Sequence, residues 1–259
     1  MRTLYLILTV LICVAQAGWA YDIRIWEDVD GNQFEGRFYR EIFDKLTIED
    51  EEGNQKTFEV EDLSELDKKY LRTIVPPELE AKVSRKTRQL PGRENPRRQV
   101  TNFRYKIFIE VKKKSQRPFT SRLKAEIFMI AEENTESEYC LINKTTAEFI
   151  LPLKKKNTVI EMESPWVPMR IWEGVGAWPR GARLGMDYAG HLLVISNMQG
   201  DICLTDSNLD SSFNRWIRDP ETIQNLRDLW VRYPGRGAWL SRLFDKTGSK
   251  VPVPRPPPM

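Results

Sequence analysis

The chain has 259 residues, with 40 basic and 37 acidic side chains, a single histidine and a formal net charge of +3. That balance gives no reason to expect nucleic acid as a partner. With one histidine, His191, any histidine-dependent acid–base chemistry must use a residue at the start of an apolar stretch with no local partner in sequence. The length admits one or two domains.

The N-terminus reads as a secretion signal over residues 1–20. A basic start, Met1-Arg2-Thr3, precedes an apolar run from Leu4 to Val14 and then Ala15-Gln16-Ala17. The run is too short to span a bilayer, and the small-residue site suits cleavage. A second cut is available after Ala20, and a membrane anchor or buried helix is the competing reading. Export to a secreted or periplasmic location follows, with no transmembrane segment after signal removal. Two cysteines then remain, Cys140 and Cys203, each in an apolar stretch. They are either a disulfide, which export permits, or two buried free thiols. No spacing suggests a metal site, and no cofactor motif is present.

Residues 21–76 read as a small unit of four short strands and a helix. Ile23, Ile25, Phe34, Phe38, Leu46, Ile48, Phe58 and Val60 recur among polar residues at strand period. Asp30-Gly31 and Glu52-Gly53-Asn54 mark reversals, since glycine tolerates the positive φ of tight hairpins. Ser64 fits a helix N-cap with Asp67 at the third position, followed by Leu66, Tyr70, Leu71 and Ile74 at helical spacing. Pro76-Pro77 ends the helix. This pattern suggests an SH3-like barrel closed by one helix.

Two motifs frame that unit. Arg24, Trp26, Asp28 and Gly31 give R-x-W-x-D-x-x-G, and Leu63, Ser64, Asp67 and Tyr70 give L-S-x-x-D-x-x-Y. With Phe38, Lys45, Leu46, Ile48, Gly53, Phe58 and Val60 between them, the segment from about residue 22 to 75 resembles an SLA1 homology domain 1 (SHD1). The resemblance implies an SH3-like fold with no catalytic residues and a protein or peptide partner. In eukaryotic endocytic adaptors, linked to the cytoskeleton, such domains bind Asn-Pro-Phe-x-Asp peptides. Secreted bacterial proteins carry similar domains behind a signal peptide.

The candidate ligand-binding residues are Trp26, Asp28, Lys45 and Tyr70. Trp26 is otherwise core, and Arg24 and Asp28 share its face at period two, where they are placed to pair. The hairpin Glu49-Asp50-Glu51-Glu52 would repel an acidic peptide by about 1 kcal/mol per close pair. A basic or neutral ligand fits better.

Residues 77–100 read as a basic linker, Glu78–Val83 as a short helix within it and Arg85–Arg98 as an extended, cationic run. An anionic envelope polymer is a possible partner there; a solvated linker is the plainer reading. Residues 101–218 carry candidate strands at Phe103–Ile109, Leu123–Ile130, Tyr139–Ile142, Phe149–Leu153, Val159–Met162, Leu192–Ile195 and Ile202–Leu204, which suggest a β-sandwich. Between Ser164 and Gly185, a Trp-rich loop offers Trp172 and Trp178 as an alternative platform for sugars. Residues 219–250 read as a helical segment starting at Asp219-Pro220, and 251–259 as a polyproline tail.

The leading expectation is an exported, non-catalytic binding or scaffolding protein of mainly β structure. An envelope carbohydrate-binding protein using the Trp-rich loop is the alternative, and a carboxylate-dependent envelope hydrolase the third reading.

Overall fold

The computed structural model describes residues 21–42, 45–91, 98–134, 139–153, 158–174, 183–209 and 219–229. The signal-like segment, Trp178, the basic loop at 92–97 and the proline-rich tail lie outside the described residues.

The protein is mainly β, built as two antiparallel sheets. The first contains β1 (Arg24–Glu27), β2 (Gln33–Ile42), β3 (Lys45–Glu49) and β4 (Gln55–Glu59) in sequence order. A 3-10 turn at Val60–Asp62 leads into α1 (Glu65–Thr73). The end of β1 meets the segment after β4. Val29 N–H donates to Asp62 O (2.8 Å), Ser64 N–H donates to Glu27 O (2.8 Å), and Asp28 bridges Leu63. The core of this unit is Trp26, Leu46, Ile48, Leu63, Leu71 and Val75.

The expected helix forms, with Ser64 Oγ accepting from Asp67 N–H (3.2 Å). Its inward face differs from expectation. Leu66 is 78% exposed, and the acidic Asp67 is buried in its place at 2%. Asp67 is held there by three donors described below, which offset its loss of water.

The second sheet begins where a linker was expected. Residues Leu79–Leu90 form β5, paired along its whole length with β6 (Arg98–Lys113), so strand replaces the expected short helix and, over the described residues to Leu90, the expected linker. Leu79, Ala81 and Val83 pack toward the core. Beyond Val83 the inward positions turn polar, which hides the strand in the sequence. Arg85 takes one of them by laying its guanidinium over Tyr188 (4.6 Å) and Tyr105 (5.3 Å).

The remaining strands are β7 (Arg122–Glu133), β8 (Tyr139–Ile150), β9 (Val159–Glu163), β10 (Val167–Gly174), β11 (Arg183–Asn197) and β12 (Ile202–Ser207). The order is β5-β6-β10-β11-β7-β8, with β9 also on β6 and β12 also on β11. The two short strands expected around Tyr139 and Phe149 are one strand, β8. The expected Trp-rich loop contains β10, so Trp172 sits in the sheet opposite Val100 and Leu184.

Inward residues of β6, β7, β8, β10 and β11 share one core that includes Tyr105, Ile107, Leu123, Ile127, Met169 and Leu193. Strand β7 is buried on both faces. Its other face, through Phe128 and Ile130, packs with Ile223 and Leu226 of α2 (Pro220–Asp228). Asp219 caps α2, accepting from Thr222 N–H (3.0 Å). Arg227 ties the helix down through Glu126 (2.7 Å).

Three hairpins use one turn. In Asp28–Asn32, Asp50–Asn54 and Asn197–Asp201, the first residue's side-chain oxygen accepts from the backbone N–H two and four residues on, at 2.8 to 3.0 Å. The fourth residue is glycine, with φ of 81°, 85° and 97°. An Asx side chain and a left-handed glycine give a three-residue hairpin loop of fixed register.

Candidate functional site

The two sequence motifs of the first unit converge on one cluster. Arg24, from β1, lies over the Tyr70 ring (3.9 Å) and the Trp26 ring (4.7 Å). Its Nη2 donates to Asp67 Oδ1 at 2.5 Å. The other Asp67 oxygen accepts from Glu27 N–H (2.7 Å) and from Ser64 Oγ–H (3.1 Å). Trp26 and Tyr70 meet edge to face at 5.7 Å. Strand β1 and helix α1 are therefore clamped through a cation, a carboxylate and two rings.

This clamp redistributes the expected ligand residues. Trp26 has no exposed surface, and its Nε1 donates to Gly36 O at 2.9 Å. It is core and presents nothing to a ligand. Asp28 is the turn residue of the β1–β2 hairpin and does not pair with Arg24. Its hydrogen bonds from Asn32 hold its carboxyl below the usual carboxylate range. Lys45 pairs with Glu59 directly across β3–β4 at 2.9 Å. Tyr70 is half-buried, and burial raises its hydroxyl pKa.

Within the acidic hairpin, Glu49 pairs with Arg37 and Asp50 closes the turn. Glu51 and Glu52 remain exposed.

Sequence reading missed a second aromatic group. Phe34 of β2 and Phe58 of β4 stack at 4.0 Å with 9° between their planes. Lys56 lies over both rings, at 5.3 and 4.9 Å. All three positions were legible as strand residues, but nothing local shows that the sheet curls enough to bring β2 onto β4. On the opposite face of β1 from Trp26 and Phe34, and on α1, apolar side chains are exposed. Ile23, Ile25 and Val29 on and beside β1 are 41%, 59% and 63% exposed, and Leu66 stands on the adjoining helix.

The first unit is also strongly acidic. Residues 21–75 hold sixteen Asp and Glu against eight Lys and Arg. The near-neutral total conceals a basic remainder.

The second unit docks against this one through polar contacts. Arg117, between β6 and β7, pairs with Glu41 (2.7 Å) and donates to Leu71 O and Val75 O. Thr120 N–H donates to Arg72 O (2.8 Å), and Asn197 Nδ2 donates to Ile74 O (2.9 Å). Tyr21 lies in the same seam, edge-on to Phe38 at 5.2 Å. Burial, with nearby Cys203 and Asp201, pushes its hydroxyl pKa well up.

Cys140 and Cys203 are both free thiols, so the disulfide does not form. Cys140 Sγ lies 3.4 Å from Met186 Sδ, and Cys203 Sγ donates to Asp201 O at 3.4 Å. Burial pushes the Cys203 thiol up to about 12. Among the described residues the His191 ring has one hydrogen-bond partner, at Nδ1, and its buried Nε2 has none. Tyr188 Oη lies 3.1 Å from its Nδ1, and Asp206 Oδ2 lies 3.6 Å from its Nε2. The β11 bulge after Tyr188 and the β12 register bring them together. Trp172 is half-buried, with Arg170 over its ring at 5.8 Å. Among the described residues no cluster of His, Cys, Asp and Glu is placed to hold a metal ion, and no helix is long and apolar enough to cross a membrane.

No protein-family model and no curated protein matches the chain. Among solved structures, it is similar to a protein from Akkermansia muciniphila, with 14% identity over 54% of this chain and 76% of that one, at a TM-score of 0.22. It is also similar to the ApaA protein from Bordetella pertussis, with 12% identity over 52% of this chain and 98% of that one, at a TM-score of 0.25. At these scores the likeness assigns neither fold family nor activity.

Proposed function

We propose that the protein is an exported, non-catalytic binding or scaffolding protein whose first unit, an SHD1-like barrel of SH3 type, takes a peptide or protein partner. The second unit, β-sandwich-like, holds that barrel through the Arg117 seam. The observation that carries this reading is the exposure of Ile23, Ile25 and Val29 along β1 and its turn, and of Leu66 on α1, on a unit whose charge is otherwise strongly acidic. Exposed apolar patches rimmed by charge mark interaction surfaces. The stacked Phe34–Phe58 pair with Lys56 supplies an aromatic edge on the same unit. An acidic rim favours a basic or neutral peptide over an Asn-Pro-Phe-x-Asp ligand.

The test uses the full chain against arrayed peptides with an aromatic centre and either basic or acidic ends. The basic-ended set should bind, and Ile25→Glu with Leu66→Glu should abolish binding at unchanged melting temperature. Preference for the acidic-ended set would overturn the partner's charge. Binding retained by the double variant would overturn the surface.

A further inference from the structure

The solvent face of β5, β6 and β10 carries an arrangement that isolated folding does not favour. Lys86 stands directly opposite Lys106, and Arg88 directly opposite Arg104. Like charges in directly opposed positions destabilise a sheet. Arg170 extends the group on β10, two residues along from Pro168, which faces Arg104. Strand geometry sets the backbone positions of these residues about 4.8 Å apart across the sheet and about 6.7 Å apart along a strand. Among the described residues, Lys86, Arg88 and Arg104 make no ion pair, whereas Lys106 pairs with Glu163 at 2.5 Å.

Aromatic rings are interleaved with the cations. Lys106 lies over Phe108 (5.5 Å) and Trp166 (5.9 Å), Lys86 over Phe108 (6.0 Å), and Arg170 over Trp172 (5.8 Å). The inward residues of β6, among them Tyr105 and Ile107, are buried in the core, so these outward cations cannot turn in. The structure thus keeps a row of cations, of which Lys106 alone pairs with a carboxylate among the described residues, on a rigid sheet where a flexible linker had been expected.

We propose that this face binds an extended polysaccharide bearing carboxylates, such as a polyuronate, with Arg88, Arg104, Lys86, Lys106 and Arg170 as its cationic row. The proposal rests on this sheet alone and is independent of the peptide reading of the first unit. Two observations select this partner among polyanions. Single-stranded nucleic acid needs open ring faces on which bases stack, and here the protein's own cations overlie the rings. An anionic membrane would meet the whole plane, but at the other end of the face carboxylates alternate with lysines, Glu110 standing opposite both Glu161 and Lys82 and Glu80 opposite Lys112. A linear polymer can follow the basic row and avoid that end.

The probe is polygalacturonate, with its fully methyl-esterified form, oligo(dT) and anionic phosphatidylglycerol vesicles as comparators, all titrated into the full chain at two salt concentrations. Polygalacturonate should bind, weaken at the higher salt and lose binding on esterification. Arg88→Gln with Arg104→Gln should weaken it at least tenfold, while the melting temperature of the free protein stays level or rises as the opposed charges are removed. Arg40→Gln with Lys69→Gln, an equal charge change on the first unit, should leave binding within twofold. The proposal is overturned if polygalacturonate does not bind, if the first-unit variant loses as much, or if oligo(dT) or the vesicles bind more tightly.

Discussion

Arg117 and Glu41 form an ion pair at 2.7 Å across the seam between the two units, with both side chains less than 5% exposed. The guanidinium also serves Leu71 O and Val75 O at the end of α1. One side chain therefore neutralises a buried carboxylate and caps a helix that belongs to the other unit. Removing it takes the ion-pair partner from a buried carboxylate. Arg117→Ala should cost about 3–5 kcal/mol, the range for breaking a buried ion pair from one side. Arg117→Met with Glu41→Leu should recover much of that, because neither charge remains. Urea midpoints of the two variants check the contrast, and equal losses would show that the carboxylate plays no part.

The clamp on β1 yields a second expectation. Asp67 accepts from Arg24, from Glu27 N–H and from Ser64 Oγ–H. Asp67→Ala should destabilise the protein by about 2–4 kcal/mol through lost charged hydrogen bonds and an unpaired buried donor. Near-ultraviolet circular dichroism should change as well, since Trp26 and Tyr70 are packed against the same guanidinium. Denaturation of Asp67→Ala with a wild-type midpoint would refute this account of the cluster.

Two glycines with similar backbone should behave differently. Gly185 and Gly200 have φ of 104° and 97°. A Cβ at Gly200 meets nothing within 4 Å, so Gly200→Ala should cost only the left-handed backbone penalty of about 1–2 kcal/mol. A Cβ at Gly185 would lie 2.3 Å from Arg170 O in the neighbouring strand. Gly185→Ala should be several-fold more costly, measured by the same melts; equal values would mean that β10 moves aside freely.

Alkali should loosen the seam. Tyr21 and Cys203 are both neutral acids whose pKa burial raises, the thiol from an ordinary 9.0 to about 12. The folded state then holds protons that the unfolded chain gives up. Their contribution is intact below pH 9 and declines as the pH rises from there toward 12. Stability measured at pH 7, 9 and 11 should fall across the last interval, and less steeply in Tyr21→Phe. Iodoacetamide should leave native Cys203 unlabelled at pH 7. Rapid labelling there, or a flat stability profile, would contradict the buried seam.

Much of the fold was legible where local chemistry speaks. The Asx–glycine turns, the Ser64 and Asp219 caps and the alternation of Tyr105, Ile107 and Ile109 each report a local conformation. The misreadings came from partners distant in sequence. Strand β5 loses its apolar alternation at Arg85, because Tyr105 and Tyr188 accept a guanidinium where an aliphatic side chain would ordinarily sit. Asp67 reads as a capping residue, yet its burial depends on Arg24, 43 positions earlier. The candidate surface was legible in part. Asp28 and Trp26 were identified for their motif, and the structure spends both on the turn and the core. The exposed Ile25 and Leu66 looked like core residues at strand and helix period.

The carbonyls of Leu71, Arg72, Ile74 and Val75 receive their donors from Arg117, Thr120 and Asn197. A chain made from its N-terminus on a ribosome reaches Arg72 fully 48 residues before Thr120 and far ahead of Asn197. The carbonyls of Leu71, Arg72 and Val75 must therefore wait, bonded to water, until the β6–β7 connection is synthesised, and that of Ile74 until β11 is complete. The first unit acquires its finished form only after its own synthesis is over, and a chain released before Arg117 would carry an uncapped helix.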